Sequence, residues 1–248
     1  MATLTGSVLD AGQRLGRGGS GTPPPVNRGG GDGGHGDGYP DYGQRLRRAR
    51  LALAFVLAPI AMFFAVIAGT CLYRSASETL DGRTDTYVRE WVTVQLPIGL
   101  LWINTALLLA SSLTAELARR QVTRQAALAP LRSIPGVSLG HERNIPWLAV
   151  TLMLGTIFLF GQGMAWRALE QRGFYLATSA SSSFVYLFTA AHAVHLLGGM
   201  AVLFYAATVS MLHKPIEVRR IVVDVTALYW HFMFVLWIGI FAFLWWAR

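Results

Sequence analysis

Five long stretches of this sequence contain no Asp, Glu, Lys or Arg: Leu51 to Tyr73, Trp91 to Ala115, Ile145 to Trp166, Phe174 to Leu212 and Val225 to Ala247. A helix needs about 20 apolar residues to cross a hydrocarbon layer of about 30 Å. Each stretch is long enough to span with modest tilt. Barrel strands would show short segments alternating apolar with polar, and these do not. A helix satisfies its own backbone polar groups inside lipid. The expectation is an all-α membrane protein, a five-transmembrane-helix bundle. Its spans lie near 51–73, 91–115, 145–167, 183–212 and 222–246. The fourth stretch exceeds one simple span, and its Ser/Thr-rich start, Phe174 to Ser183, reads as an interfacial entry. Pro59 and Pro97 lie inside or near the start of spans, where proline kinks a helix.

Charges collect between the stretches. They make up 14% of the chain, against about 25% in an ordinary globular domain. A net charge of +8 can mark a nucleic-acid protein. Here the cations flank spans, which is the pattern of basic cytoplasmic loops, and no nucleic-acid partner is expected. Arg45, Arg47, Arg48 and Arg50 precede the first span; Arg119, Arg120, Arg124, Arg132 and Arg143 fill the second loop; Lys214, Arg219 and Arg220 fill the fourth. Cations on the other side are fewer (Arg167, Arg172) or offset by acids, as Arg74, Arg83 and Arg89 are by Glu78, Asp81, Asp85 and Glu90. The N-terminus is therefore expected inside and the C-terminus outside. Trp91, Trp147, Trp166, Trp245 and Trp246 fall at span ends, as an aromatic belt does.

Residues 1–44 differ from the rest. Pro23-Pro24-Pro25 and the glycine-rich run around His35 cannot bury a core, so a disordered tail is expected ahead of a transmembrane domain over 45–248. The tail has no apolar segment of the secretory kind. Cys71 is the single cysteine, which excludes an internal disulfide.

Three histidines lie within spans: His192, His195 and His231. Intramembrane ionisable groups point first to function. His192 and His195, three apart, are expected on one helix face. A bis-histidine haem needs a partner at equal depth, and at about 1.5 Å per residue His195 and His231 differ by roughly 10 Å. The spacing therefore favours neutral histidines bonded within the bundle or to lipid, and no metal ligand or cofactor ligand is assigned. Carboxylates are missing from span interiors, with Glu116 and Asp224 at span edges, so this chain reads poorly as a proton path or transporter. Dinucleotide, phosphate-loop and zinc-protease motifs are absent, and no catalytic residue is assigned. Small residues recur at packing distance, Ala106 with Ala110 and Gly161 with Ala165.

Two stretches are more specific. The first is Thr151 to Gln162 with Trp166, followed by Phe184 to Gly199, which contains His192, His195, Gly198 and Gly199. The second is Ala227-Leu228-Tyr229-Trp230-His231-Phe232, ending in Leu244-Trp245-Trp246. Over about Leu51 to Trp246 the order and spacing resemble cytochrome c oxidase subunit III, in the five-helix bacterial form that lacks the first two helices of the long form. Departures are plain. Ile60, Ala165 and Phe234 stand where that family usually has acids, while Asp224 retains one. The resemblance implies an accessory subunit of a haem–copper terminal oxidase in a bacterial plasma (inner) membrane. It implies no haem or copper in this chain; these are expected in a partner subunit I. It implies contact with subunit I, with subunit II in the complex, and with membrane phospholipids. By residue match His192, His195, Asp224, Trp230 and His231 are the candidates for lipid or inter-helix polar contacts. The alternatives are a subunit III-like partner of nitric oxide reductase, a stand-alone transporter, and a membrane cytochrome.

Overall fold

The computed structural model describes residues 42–77, 79–81, 86–88, 91–132, 146–212 and 215–246. The chain divides into Met1–Tyr39 and Pro40–Arg248, and every described residue lies in the second unit. The expected tail falls outside the described residues, except that 42–44 already belong to the first helix.

Five helices follow in order: α1 (Tyr42–Ala76), α2 (Ile98–Arg132), α3 (Trp147–Gln171), α4 (Ala180–Met211) and α5 (Ile216–Trp246). All five are long and apolar enough to cross a membrane. Between α1 and α2 lies one addition that apolar patterning did not indicate. Strands β1 (Thr79–Asp81) and β2 (Thr86–Val88) pair antiparallel, with Leu80 opposite Tyr87.

Prolines set three of the helix starts. Pro97, Pro146 and Pro215 each stand immediately before a first helical residue. Proline has no N–H to lose there, while its carbonyl still accepts from the first turn. Pro146 accepts from the N–H of Ala149 and Val150, and Pro215 from that of Arg219. The second span therefore begins at Ile98 rather than Trp91, and Pro97 marks a boundary instead of a kink. Residues Trp91–Pro97 form a non-helical strap, tied by Ser181 Oγ donating to the Val92 carbonyl and Arg172 Nη1 donating to that of Gln95. Pro59 does lie inside α1.

The Ser/Thr-rich entry to α4 is a capping device. Ser179 and Ser182 exchange side-chain and backbone bonds in a capping box, and the helix starts at Ala180. Ahead of it α3 ends at Gln171 and the chain turns at Gly173, whose φ of +83° suits a residue without Cβ. The N–H of Phe174 bonds the Leu169 carbonyl and that of Gly173 bonds the Glu170 carbonyl, which closes the helix end.

Helices α2, α3, α4 and α5 pack as a ring, each touching its two ring neighbours, and α1 leans on α4 and α5. Only Phe64, Ile67 and Cys71 of α1 are buried. The ring closes on Trp230, which is fully buried. A Cβ built on Gly155 of α3 would lie 2.9 Å from the Trp230 indole, and one on Gly199 of α4 would lie 2.7 Å from the Tyr229 ring and 3.2 Å from the indole. Both glycines are therefore sites where α5 fits only because a side chain is missing. The expected Ala106 and Ala110 contact is not of this kind, since Ala106 is exposed. Gly161 does serve packing, lying directly against the Asn104 amide.

Replacing Gly155 by Ala should lower thermal stability in detergent by about 1–3 kcal/mol, the cost of overpacking. Gly163→Ala meets nothing within 4 Å and should be neutral or stabilising, because helical Ala is preferred to Gly. Equal melting temperatures for the two variants would show that the indole does not fill this space.

Candidate functional site

The face of α5 that looks into the bundle carries Asp224, Trp230 and His231, and α2 supplies most of their partners. Trp230 Nε1 donates to Ser111 Oγ at 3.0 Å, and Ser111 Oγ donates in turn to the Thr151 carbonyl of α3 at 3.0 Å. Indole N–H groups need an acceptor when buried. The same solution recurs twice: Trp237 Nε1 donates to Thr105 Oγ1, and Trp166 Nε1 donates to Thr189 Oγ1, both at 3.0 Å. Each link joins two helices. Trp230 is thus both a packing residue and an inter-helix polar contact.

Beside it runs a seam of charge. Asp224 receives a two-pronged contact from Arg50 of α1, Nε to Oδ2 at 2.8 Å and Nη2 to Oδ1 at 3.0 Å. Arg119 of α2 reaches the same carboxylate through Nη1 at 3.3 Å. Arg119 also grips Glu116 with two bonds of 2.7 and 2.9 Å, and Arg120 adds a third at 2.8 Å. His231 completes the line. Its Nε2 lies 3.5 Å from Glu116 Oε2 and its Nδ1 lies 2.6 Å from Ser112 Oγ. A carboxylate only accepts, so a neutral ring places its proton on Nε2 and accepts a hydrogen bond from the Ser112 hydroxyl at Nδ1. The side chain of Asp224 is 9% exposed, whereas that of Arg50 is 47% exposed. Further out, Arg45 pairs with Glu217 at 2.8 Å and Arg220 lies over the Tyr42 ring at 5.0 Å.

Glu116 and Asp224, expected at span edges, stand inside helices that continue past the charge-free stretches. Both lie within α2 and α5, several residues from the helix ends. The signal for Glu116 was available in the sequence, since arginines three and four residues on share its helix face. Nothing in the sequence paired Arg50 with Asp224, 174 positions apart.

His192 and His195 are not brought to this seam. His192 is fully buried between Phe158 of α3 and Trp237 of α5, ring centres 5.9 and 5.2 Å away. His195 lies against Phe63 and Phe64 of α1, with Nδ1 2.7 Å from the Ala191 carbonyl. The two therefore meet different helices, although a three-residue spacing suggested a shared face. Tyr229 donates its hydroxyl to the His195 carbonyl at 2.9 Å. Each of the three histidines thus meets a different set of helices. Among the described residues no group of three His, Cys, Asp or Glu is placed to hold a metal ion.

The arrangement fixes helices. Trp230 and its hydroxyl partners join α5, α2 and α3, and the seam joins α1, α2 and α5. The two sets differ in chemistry but sit side by side, because Ser111 serves Trp230 and Ser112 serves His231.

Comparison with known proteins gives a consistent result. The sequence profile of the family "Cytochrome c oxidase subunit III" matches residues 48–248. A probable cytochrome c oxidase subunit 3 of Nocardia farcinica is 28% identical over 144 residues, 58% of this chain and 64% of that protein. The cytochrome c oxidase subunit 3 of Corynebacterium diphtheriae is 29% identical over 139 residues, 56% of this chain and 61% of its own length. A probable subunit 3 of Mycobacterium leprae is 29% identical over 102 residues, 41% of this chain and 50% of that protein. The chain thus spans between half and just under two thirds of these relatives.

Replacing Asp224 by Asn leaves two arginines facing a neutral amide. The expected loss is about 1–3 kcal/mol, between the limits for exposed and buried pairs. Glu217→Gln breaks only the exposed pair with Arg45 and should cost under about 1 kcal/mol. Melting curves of the two variants in one detergent compare them directly; an equal or reversed order would deny the seam its structural role.

Proposed function

The chain belongs to the cytochrome c oxidase subunit III family, and on that premise we propose that it is the accessory subunit III of a haem–copper terminal oxidase. The single observation that carries the reading is the family match over residues 48–248, which takes in all five helices but the first turns of α1. The structure supports it from the residues upward. The strong polar contacts just described link helices to one another. Large apolar side chains such as Phe55, Met62 and Val66 of α1 and Phe204 and Tyr205 of α4 remain on the outside. Such surfaces suit lipid and neighbouring membrane subunits.

In this reading the partners are subunit I, which carries haem and copper, and subunit II, in a bacterial plasma membrane. Oxygen reduction and proton translocation belong to the complex. The N-terminus faces the cytoplasm. That orientation draws support from the seam, which gathers the basic start of α1, the basic half of α2 and the start of α5 at one end of the bundle. Positive residues favour the cytoplasmic side.

One observation favours a second partner, a nitric oxide reductase. Three positions at which the family usually carries acids hold Ile60, Ala165 and Phe234. Ala165 is buried at 1% exposure, while Ile60 and Phe234 are half-buried and pack on the core. A partner that pumps no protons would tolerate that loss.

Affinity purification of a tagged chain from its native membrane separates the readings. A co-purifying complex with haem and copper that consumes oxygen is expected. A complex that reduces nitric oxide but not oxygen would replace the first reading by the second, and a chain that purifies alone would overturn both. The same purification reports on the missing acids. Ala165→Glu places a charge in a closed core and should abolish assembly, since an unpaired buried charge is very costly. Ile60→Glu, half-buried, should assemble at reduced yield.

A further inference from the structure

The indole and carboxylate contacts leave one part of the interior unserved. Asn104 of α2, Gln162 of α3 and His192 of α4 are each at most 2% exposed. Asn104 Oδ1 and Nδ2, Gln162 Oε1 and both ring nitrogens of His192 have no hydrogen-bond partner among the described residues. Buried polar groups are almost always bonded, either to protein or to ordered water.

The three belong to one layer of the bundle. Counted from the helix ends opposite the seam at about 1.5 Å per residue, they lie about 10–20 Å inside, and so does Trp237 of α5. The Trp237 ring lies 5.2 Å from that of His192, and Trp237 lines a cavity together with Gln162. Asn104 lies directly against Gly161, the residue before Gln162, and precedes Thr105, which accepts from the Trp237 N–H.

The hydroxyls of this layer are already committed. Thr105 gives its one proton to the Leu101 carbonyl, and Thr189 gives its own to that of Val185. The acceptors at Asn104 and Gln162 therefore need another donor. A water molecule offers two donors and two acceptors, while an amide and a neutral imidazole each both give and take. There is room for it. The cavity that Gln162 lines with Leu101, Thr189 and Trp237 has a volume of about 10 Å³, close to the least that encloses one water. None of the side chains around it is charged, so it suits a neutral ligand and not an ion.

We propose that this layer is a binding site for internal water, which bonds Asn104, Gln162 and His192 in common and so links α2, α3 and α4. The site follows from the bundle itself and not from which oxidase or reductase the chain accompanies.

The test uses the full chain with whatever subunits accompany it, carrying isotopically labelled histidine and tryptophan nitrogens and reconstituted in lipid. Water-edited solid-state NMR reads how fast magnetisation passes from water to each ring. The His192 signal is identified by its loss in His192→Phe. Trp230 Nε1, bonded directly to Ser111 Oγ, is the dry reference. Transfer to His192 should be several times faster than to Trp230. Gln162→Met keeps the bulk but removes the acceptor, and should slow transfer to His192 severalfold. Gln121→Met, at the other end of α2, should leave it unchanged. Transfer to His192 no faster than to Trp230 would overturn the proposal, since direct side-chain bonds would give that result. So would unchanged transfer in Gln162→Met. The wild-type rates decide the question even where a variant fails to assemble.

Discussion

A fully buried indole must find an acceptor for its N–H and room for two fused rings, and in this chain both demands are met at Trp230. The acceptor is Ser111 on α2. The room comes from Gly155 on α3 and Gly199 on α4. One side chain thereby fixes the distance of α5 from three neighbours at once. Because dense interiors adjust poorly to an added methyl group, these positions leave little freedom in how the ring of helices can close. Trp237 repeats the scheme one level along α5 with Thr105, Phe158 and His192 around it.

Helix α1 is attached by different physics. It buries only three residues and has no place in the ring. What it offers is Arg50, which reaches the buried Asp224, with Arg45 and Tyr42 adding contacts to Glu217 and Arg220 further along. Ion pairs of this kind contribute little in water and more where one partner is withdrawn from it. Asp224 is the withdrawn partner, so it and not the exposed pairs ties α1 down. Between its basic start and Arg74 the remaining surface of α1 is largely apolar and outward.

Much of the architecture was readable residue by residue. Charge-free stretches located all five helices, and the Ser/Thr-rich stretch read as an entry to α4 proved to hold its capping box. Boundaries were less legible where apolar content misled. Trp91 to Pro97 belongs to a charge-free stretch, yet it is not helical, because Pro97 opens α2 and neighbouring loop and helix groups bind the strap. The short β1–β2 pair carries no length or periodicity strong enough to stand out. Of the candidate polar residues, Asp224, Trp230 and His231 do meet α2, within two helix turns along α5, whereas His192 and His195 diverge to different neighbours.

The sequence by itself determined which segments enter the membrane, and where prolines and serines start the helices, because those depend on local hydropathy and backbone chemistry. It also determined the family, through motifs that are spaced along single helices. Only the tertiary structure decided that Gly155, Gly199 and Ser111 serve one indole, that Arg50 belongs to Asp224, and that Asn104, Gln162 and His192 share one layer. Those relations join positions tens to more than a hundred residues apart, and no periodicity in one dimension encodes which faces of separate helices will meet.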